Sequence, residues 1–181
     1  MQVDVRRSVC SVRGLRLTKR TAIGALGTGI CLAISFLGRS AAADQSIIKY
    51  PGDHPDYAFE AEPHLVVAPF DKPLVGVGFR GTVELFDNGF VRTINNTVGL
   101  GFGVDWTQDR LRFPVVMQWN FWLTRNWSVF GEPGGLVEAR KNHLRPQPAF
   151  YAGGRLHFTD TLTLTLRVGH PTESVGLSWL L

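Results

Sequence analysis

The chain has 181 residues, 44% of them hydrophobic and 19% charged, with a formal net charge of +4. Much of the positive charge sits at the front: residues 1–43 hold seven of the 19 lysines and arginines and one of the 15 acids, leaving 12 basic and 14 acidic side chains, a net of −2, on residues 44–181. The high pI therefore gives no support to nucleic-acid binding. Both cysteines, Cys10 and Cys31, also fall in the front segment, so residues 44–181 have no thiol for a disulfide, a nucleophile or a cysteine metal site.

In chain order, "VRRSVCSVRGLRLTKR" is basic, "TAIGALGTGICLAISFLG" is apolar and glycine-rich, and "RSAAADQ" places Ala41 and Ala43 two apart. A charged start, a short apolar stretch and an A-x-A site predict a signal peptide over 1–43, cleaved after Ala43. Residues 44–56, with "GDHPD", read as a polar periplasmic segment, and 57–181 as a single folded body.

That body is patterned with period two. Tyr57, Phe59, Ala61, Leu65 and Val67 alternate with Glu60, Glu62 and His64. Val75, Val77, Phe79, Val83 and Leu85 alternate with Gly76, Gly78, Arg80, Thr82 and Glu84. Then comes "NNTVGLGFGVDW" (95–106), whose Gly99, Gly101 and Gly103 suggest a phosphate loop at first sight. The spacing is G-x-G-x-G, however, and no amphipathic helix follows, so the dinucleotide fingerprint is not met. Between the glycines stand Val98, Leu100, Phe102, Val104 and Trp106, which make a strand with one bulky apolar face and one small polar face.

The same alternation returns at 111–121, 150–158, 162–168 and 175–181, and less clearly at 127–136, whose facing is ambiguous. Turn signals such as "DNG", "TQDR", "TRN" and "GHPTE" separate the runs. The segment "VEARKNHLRPQP" (137–148) reads as the one long connection, and "FGEPGG" as a bulge. Helical periodicity is not seen after residue 43. The expected fold is all-β, an eight-stranded antiparallel up-and-down transmembrane β-barrel.

Alternation alone does not say which face looks inward. Strands of about ten residues match a tilted bilayer crossing. Tyr57, Phe59, Phe121, Trp127, Phe158 and Trp179 fall near one rim and Trp106 near the other, as an aromatic girdle requires. The polar face carries Glu60, Glu62, Arg80, Glu84, Asp105, Arg112, Glu132, Arg155, His157 and Arg167. These acids and bases nearly balance, so they are expected to fill a lumen that eight strands leave just wide enough for side chains.

The run "SVGLSWLL" at 174–181 resembles the closing strand of the small outer-membrane β-barrels, the OmpA-, OmpX- and OmpW-like superfamily, with Leu181 where that family usually ends in an aromatic residue. "VVMQWNFWLTRNWSVFGEPG" and "YAGGRLHFTDTLTLTLRVG" resemble exported barrels of the same kind. The resemblance implies residence in the outer membrane of a Gram-negative-type envelope and insertion by the barrel-assembly machinery. It carries no catalytic motif.

His157 in "RLHFTD" is the candidate for barrel enzymes that modify lipid A, but Thr159 is beside it and no serine is near in sequence; a structural lumen histidine is the expectation. Glu132 is read as a structural ion-pair member. The histidines are scattered, and neither metal nor other cofactor is expected, although His54 with Asp53 and Asp56 has the donor types for a cation. Arg140, Lys141, His143 and Arg145 make 137–148 a basic surface loop, facing outer-membrane lipid and lipopolysaccharide phosphates as candidate partners. Three functions remain open: a structural or surface-interaction barrel with no enzymatic role, a narrow channel or carrier for small solutes, and a soluble periplasmic lipocalin-like binding barrel.

Overall fold

A computed structural model describes residues 45–68, 74–108, 110–141 and 143–181. The segment 1–43, expected to be a signal peptide, lies outside the described residues. Eight strands follow in chain order: β1 (Phe59–Ala68), β2 (Leu74–Phe86), β3 (Asn96–Thr107), β4 (Arg110–Trp122), β5 (Trp127–Arg140), β6 (His143–His157), β7 (Leu162–His170) and β8 (Glu173–Leu180). Each pairs antiparallel with its sequence neighbours, and β1 pairs with β8, closing the barrel. Closure gives nearly every strand a hydrogen-bonding partner on both sides. Left-handed backbone at Gln108 (φ 41°) and Lys141 (φ 49°) turns β3 into β4 and β5 into β6.

The end where β1 begins and β8 finishes is termed the base, and the opposite end the mouth. The period-two pattern decides the facing. Phe102 is 42% and Val115 54% exposed on the outer wall, whereas Arg80, Asp105 and Glu132 are at most 2% exposed inside. Val75, Val77, Leu100, Phe113 and Leu177 continue the apolar exterior. A soluble lipocalin-like barrel would have the reverse arrangement. In β5, Ser128, Phe130, Glu132, Leu136 and Glu138 are buried while Val129 and Val137 are exposed, which fixes the facing of the strand that was ambiguous in sequence.

Prolines are accommodated without the bulge expected at "FGEPGG". The β4–β5 and β5–β6 registers run on unchanged through that stretch, and the irregularity lies instead between Glu84 and Phe86 of β2. Pro63, Pro114 and Pro133 each coincide with a lapse in one ladder: β1–β8 between Ala61 and His64, β3–β4 between Val115 and Arg112, and β4–β5 between Gly131 and Gly134. Each proline lacks one N–H, so one neighbour loses one ladder bond while the other ladder keeps register.

The segment 137–148 is not a loop. β5 and β6, of 14 and 15 residues, stay paired up to Arg140 opposite His143. β7 pairs with β6 only from Phe150 onward, so residues 143–149 project beyond that ladder with a free edge. Pro146 and Pro148 stand in this edge, where a missing N–H costs little and discourages pairing with another chain.

At the base, residues 45–58 form a strap across the opening. The Ile47 amide donates to the Leu123 carbonyl (2.9 Å), the Asn95 amide to Ile48 (2.7 Å), and Asn95 Nδ2 to the Asp53 carbonyl (3.0 Å). Ile47 and Tyr57 pack with Trp122 and Leu180. Tyr57 is therefore not part of the outer girdle: it precedes β1, turns inward and is buried, and that burial raises its hydroxyl pKa well above the usual value. The other girdle residues lie on the outside: Phe59, Phe121, Trp127, Phe158 and Trp179 at the base, Trp106 at the mouth. Phe90, which follows β2, extends the base aromatics, with its ring edge on Trp119 (5.6 Å) and Trp119 in turn against Phe121 (4.7 Å).

Candidate functional site

The polar alternate residues of all eight strands meet in the lumen, stacked from base to mouth. Lowest is His157 of β6, whose Nε2 lies 3.0 Å from Ser128 Oγ of β5 and Nδ1 3.0 Å from Thr163 Oγ1 of β7. This corrects the sequence reading, which saw no serine near His157; Ser128 is distant along the chain but adjacent in the β5–β6 register. Ser128 has no exposed surface and the imidazole packs on Trp122 (4.6 Å), so the pair is built as a buried hydrogen bond.

Above it, Arg155 Nη2 donates to both oxygens of Glu60, at 2.8 and 2.6 Å. The next layer centres on Glu132 of β5. It accepts from Arg167 Nε (2.9 Å), Arg80 Nη1 (3.1 Å) and Gln118 Nε2 (2.9 Å). Arg167 also forks onto Glu62, Nη1 at 2.6 Å and Nη2 at 3.0 Å, and donates to Ser174 of β8. The Phe130 ring lies beneath two guanidiniums, Arg155 at 4.6 Å and Arg167 at 5.2 Å. Higher, His64 Nε2 meets Asp105 Oδ1 at 2.9 Å. At the mouth, Arg112 Nε donates to Glu138 (2.9 Å) and Nη1 to Thr107 (3.1 Å).

Glycines make the room. A Cβ at Gly78 would collide with His64 Nε2, come within 2.7 Å of Asp105 Oδ1 and within 2.8 Å of the Val104 carbonyl. Gly78→Val is expected to lower unfolding stability in detergent by ~1–3 kcal/mol, as overpacking does, read from guanidinium denaturation midpoints.

Of the ten polar residues expected in the lumen, nine stand in this stack. Glu84 does not join it: it is half-buried at the base, lining a hollow with Asp56 and Asp87. Two members were missed: Ser128 pairs only through the barrel register, and Glu138 lay in the stretch read as a loop; His64, on the polar face of β1 in the sequence, finds its partner in Asp105 of β3. The alternation of Val137 and Ala139 with Glu138 was the available signal.

Arg140, Lys141, His143 and Arg145, expected on a loop, stand at the tip of the β5–β6 hairpin. With Glu138 they line a hollow of about 280 Å³ beside the mouth.

An apolar wall around an interior of interlocked ionic layers defines the class: a small transmembrane β-barrel. Among solved structures, the chain is similar to a designed transmembrane β-barrel (14% identity, TM-score 0.49, covering 74% of this chain and 99% of that one). It is also similar to the Yersinia pestis outer membrane protein Ail in a phospholipid bilayer nanodisc (12% identity, TM-score 0.48, covering 70% of this chain and all of that one). No protein-family model and no curated protein sequence matches the chain.

Proposed function

We propose that the chain is an outer-membrane barrel, inserted by the barrel-assembly machinery, with a structural or surface-interaction role and no catalytic one. Its projecting β5–β6 hairpin presents Arg140, Lys141 and Arg145 to anionic groups outside, with lipopolysaccharide phosphates the class that fits a cationic hollow at a membrane surface. The carrying observation is the Glu132 layer: a carboxylate with no exposed surface, held by side chains of β2, β4 and β7, spans the centre of the lumen. A barrel so filled is suited to present a rigid surface rather than to pass solutes. The strap across the base favours the same reading over the channel alternative.

The test is cell fractionation with gels of unheated and boiled samples, and then binding to vesicles with and without lipopolysaccharide. The barrel is expected in the outer membrane with a mobility that changes on boiling. Replacing Arg140, Lys141 and Arg145 together by serine is expected to abolish the lipopolysaccharide-dependent part of vesicle binding and leave the mobility change intact. Equal binding by the variant would remove the surface-interaction reading. Stepwise conductance of the wild type in planar bilayers would favour the channel.

A further inference from the structure

We propose that His54, Asp56 and Asp87 form a binding site for a divalent transition-metal ion of the zinc class, which clips the strap to the connection after β2. One ligand atom from each of these three side chains can be chosen so that all lie within 4.8 Å of one another. Asp53, the partner suggested by sequence spacing, is turned away onto Arg125 (2.8 Å).

The imidazole is held as a ligand needs to be. Its side chain is fully enclosed and stacks on Trp122 at 5.3 Å with an interplanar angle of 14°. Its ring nitrogens make their polar contacts with oxygens. Nδ1 faces the Pro55 carbonyl at 3.4 Å, and Nε2 faces both the carbonyl oxygen (3.3 Å) and Oδ1 (3.4 Å) of Asp87. A neutral imidazole has one N–H, so if Nδ1 donates to Pro55 the lone pair of Nε2 is aimed at two oxygens. A cation between Nε2 and the carboxylates converts that repulsion into coordination, and the Nδ1–H donating to a backbone carbonyl is the usual arrangement behind a ligating histidine.

The acids supply the rest. Among the described residues, no lysine or arginine is paired with Asp56 or Asp87. Glu84 lines the adjoining hollow, and its Oε2 is enclosed without a hydrogen-bond partner. One imidazole with carboxylates suits zinc-like ions better than calcium or magnesium, which take oxygen alone. Two ligands come from the strap and one from the β2–β3 connection, so the ion would tie together segments that otherwise meet through few hydrogen bonds.

The test is calorimetric titration of the purified, detergent-folded chain with zinc chloride, and separately with calcium chloride. Wild type is expected to bind one zinc per chain. His54→Ala, Asp56→Asn and Asp87→Asn are each expected to weaken it by about tenfold or more, and His143→Ala to leave it unchanged. The mobility difference between unheated and boiled samples selects the variants that fold, and the two asparagine variants keep the test open if His54→Ala does not. Absence of zinc binding, or binding that survives all three substitutions, would overturn the site and leave His54 as a structural histidine stacked on Trp122. Equal affinity for calcium would overturn the assignment of metal class.

Discussion

Glu132→Ala is expected to destabilise the barrel by about 3–5 kcal/mol, read as a lower guanidinium midpoint for loss of the folded form in detergent or lipid. Glu132 has no exposed surface and is the acceptor that Arg80, Arg167 and Gln118 share. Its removal leaves two buried guanidiniums short of a counter-charge. Arg167 keeps Glu62, but Arg80 keeps only Asp105, at 4.0 Å. The large effect comes from the charge left behind rather than from the worth of the pair, because taking both ions out of water offsets most of their attraction. A control separates burial from charge pairing as such. Arg125 and Asp53 approach as closely, at 2.8 Å, but with side chains 74% and 40% exposed. Arg125→Ala is expected to cost at most ~1 kcal/mol. Comparable losses in the two variants would mean that the lumen is wet and its charges screened.

The two effects together bear on what the interior is for. Layers of charge in a lumen of this width do two things at once. They fill space that would otherwise be a water column, and they link strands distant in sequence, as Arg155 of β6 does with Glu60 of β1. Such links require the barrel to be closed before they are satisfied. They therefore specify closure, at a desolvation cost that an apolar core would not carry.

How much of this was legible follows from which contacts are local. Most strands and their two-faced pattern were readable because alternation is a property of a single strand: Leu100, Phe102 and Val104 against Gly99, Gly101 and Gly103 need no knowledge of neighbours. The 137–148 hairpin was hidden because Pro146 and Pro148 argue against a strand unless one knows that their edge is free. The Ser128–His157 pair and the move of Asp87, rather than Asp53, to His54 depend on register between distant segments. Tyr57 kept the parity of β1 but precedes the strand, so parity did not place it. The strap over the base is held by hydrogen bonds from the Ile47 amide and from the Asn95 amide and side chain, which no spacing in the sequence encodes.

Phe102→Arg is the second substitution with a large expected effect, because it tests what the outer wall touches. Phe102 lies midway along β3, exposed, opposite Val115 of β4, and its ring joins that of Phe59 over the bare outer side of Gly81. In hydrocarbon at that depth an arginine costs ~2–4 kcal/mol, while near an interface the cost falls to ~0–1. Phe158→Arg, at the base rim and equally outward, is therefore expected to be mild, and the gap between the two is the signature of a bilayer. Unfolding from lipid vesicles measures it, with both variants assembled in the same lipid. On a water-facing wall both substitutions would stay within about 0.5 kcal/mol of wild type. Equal, small effects would mean that the apolar belt meets something other than lipid, however well the ionic layers inside it are formed.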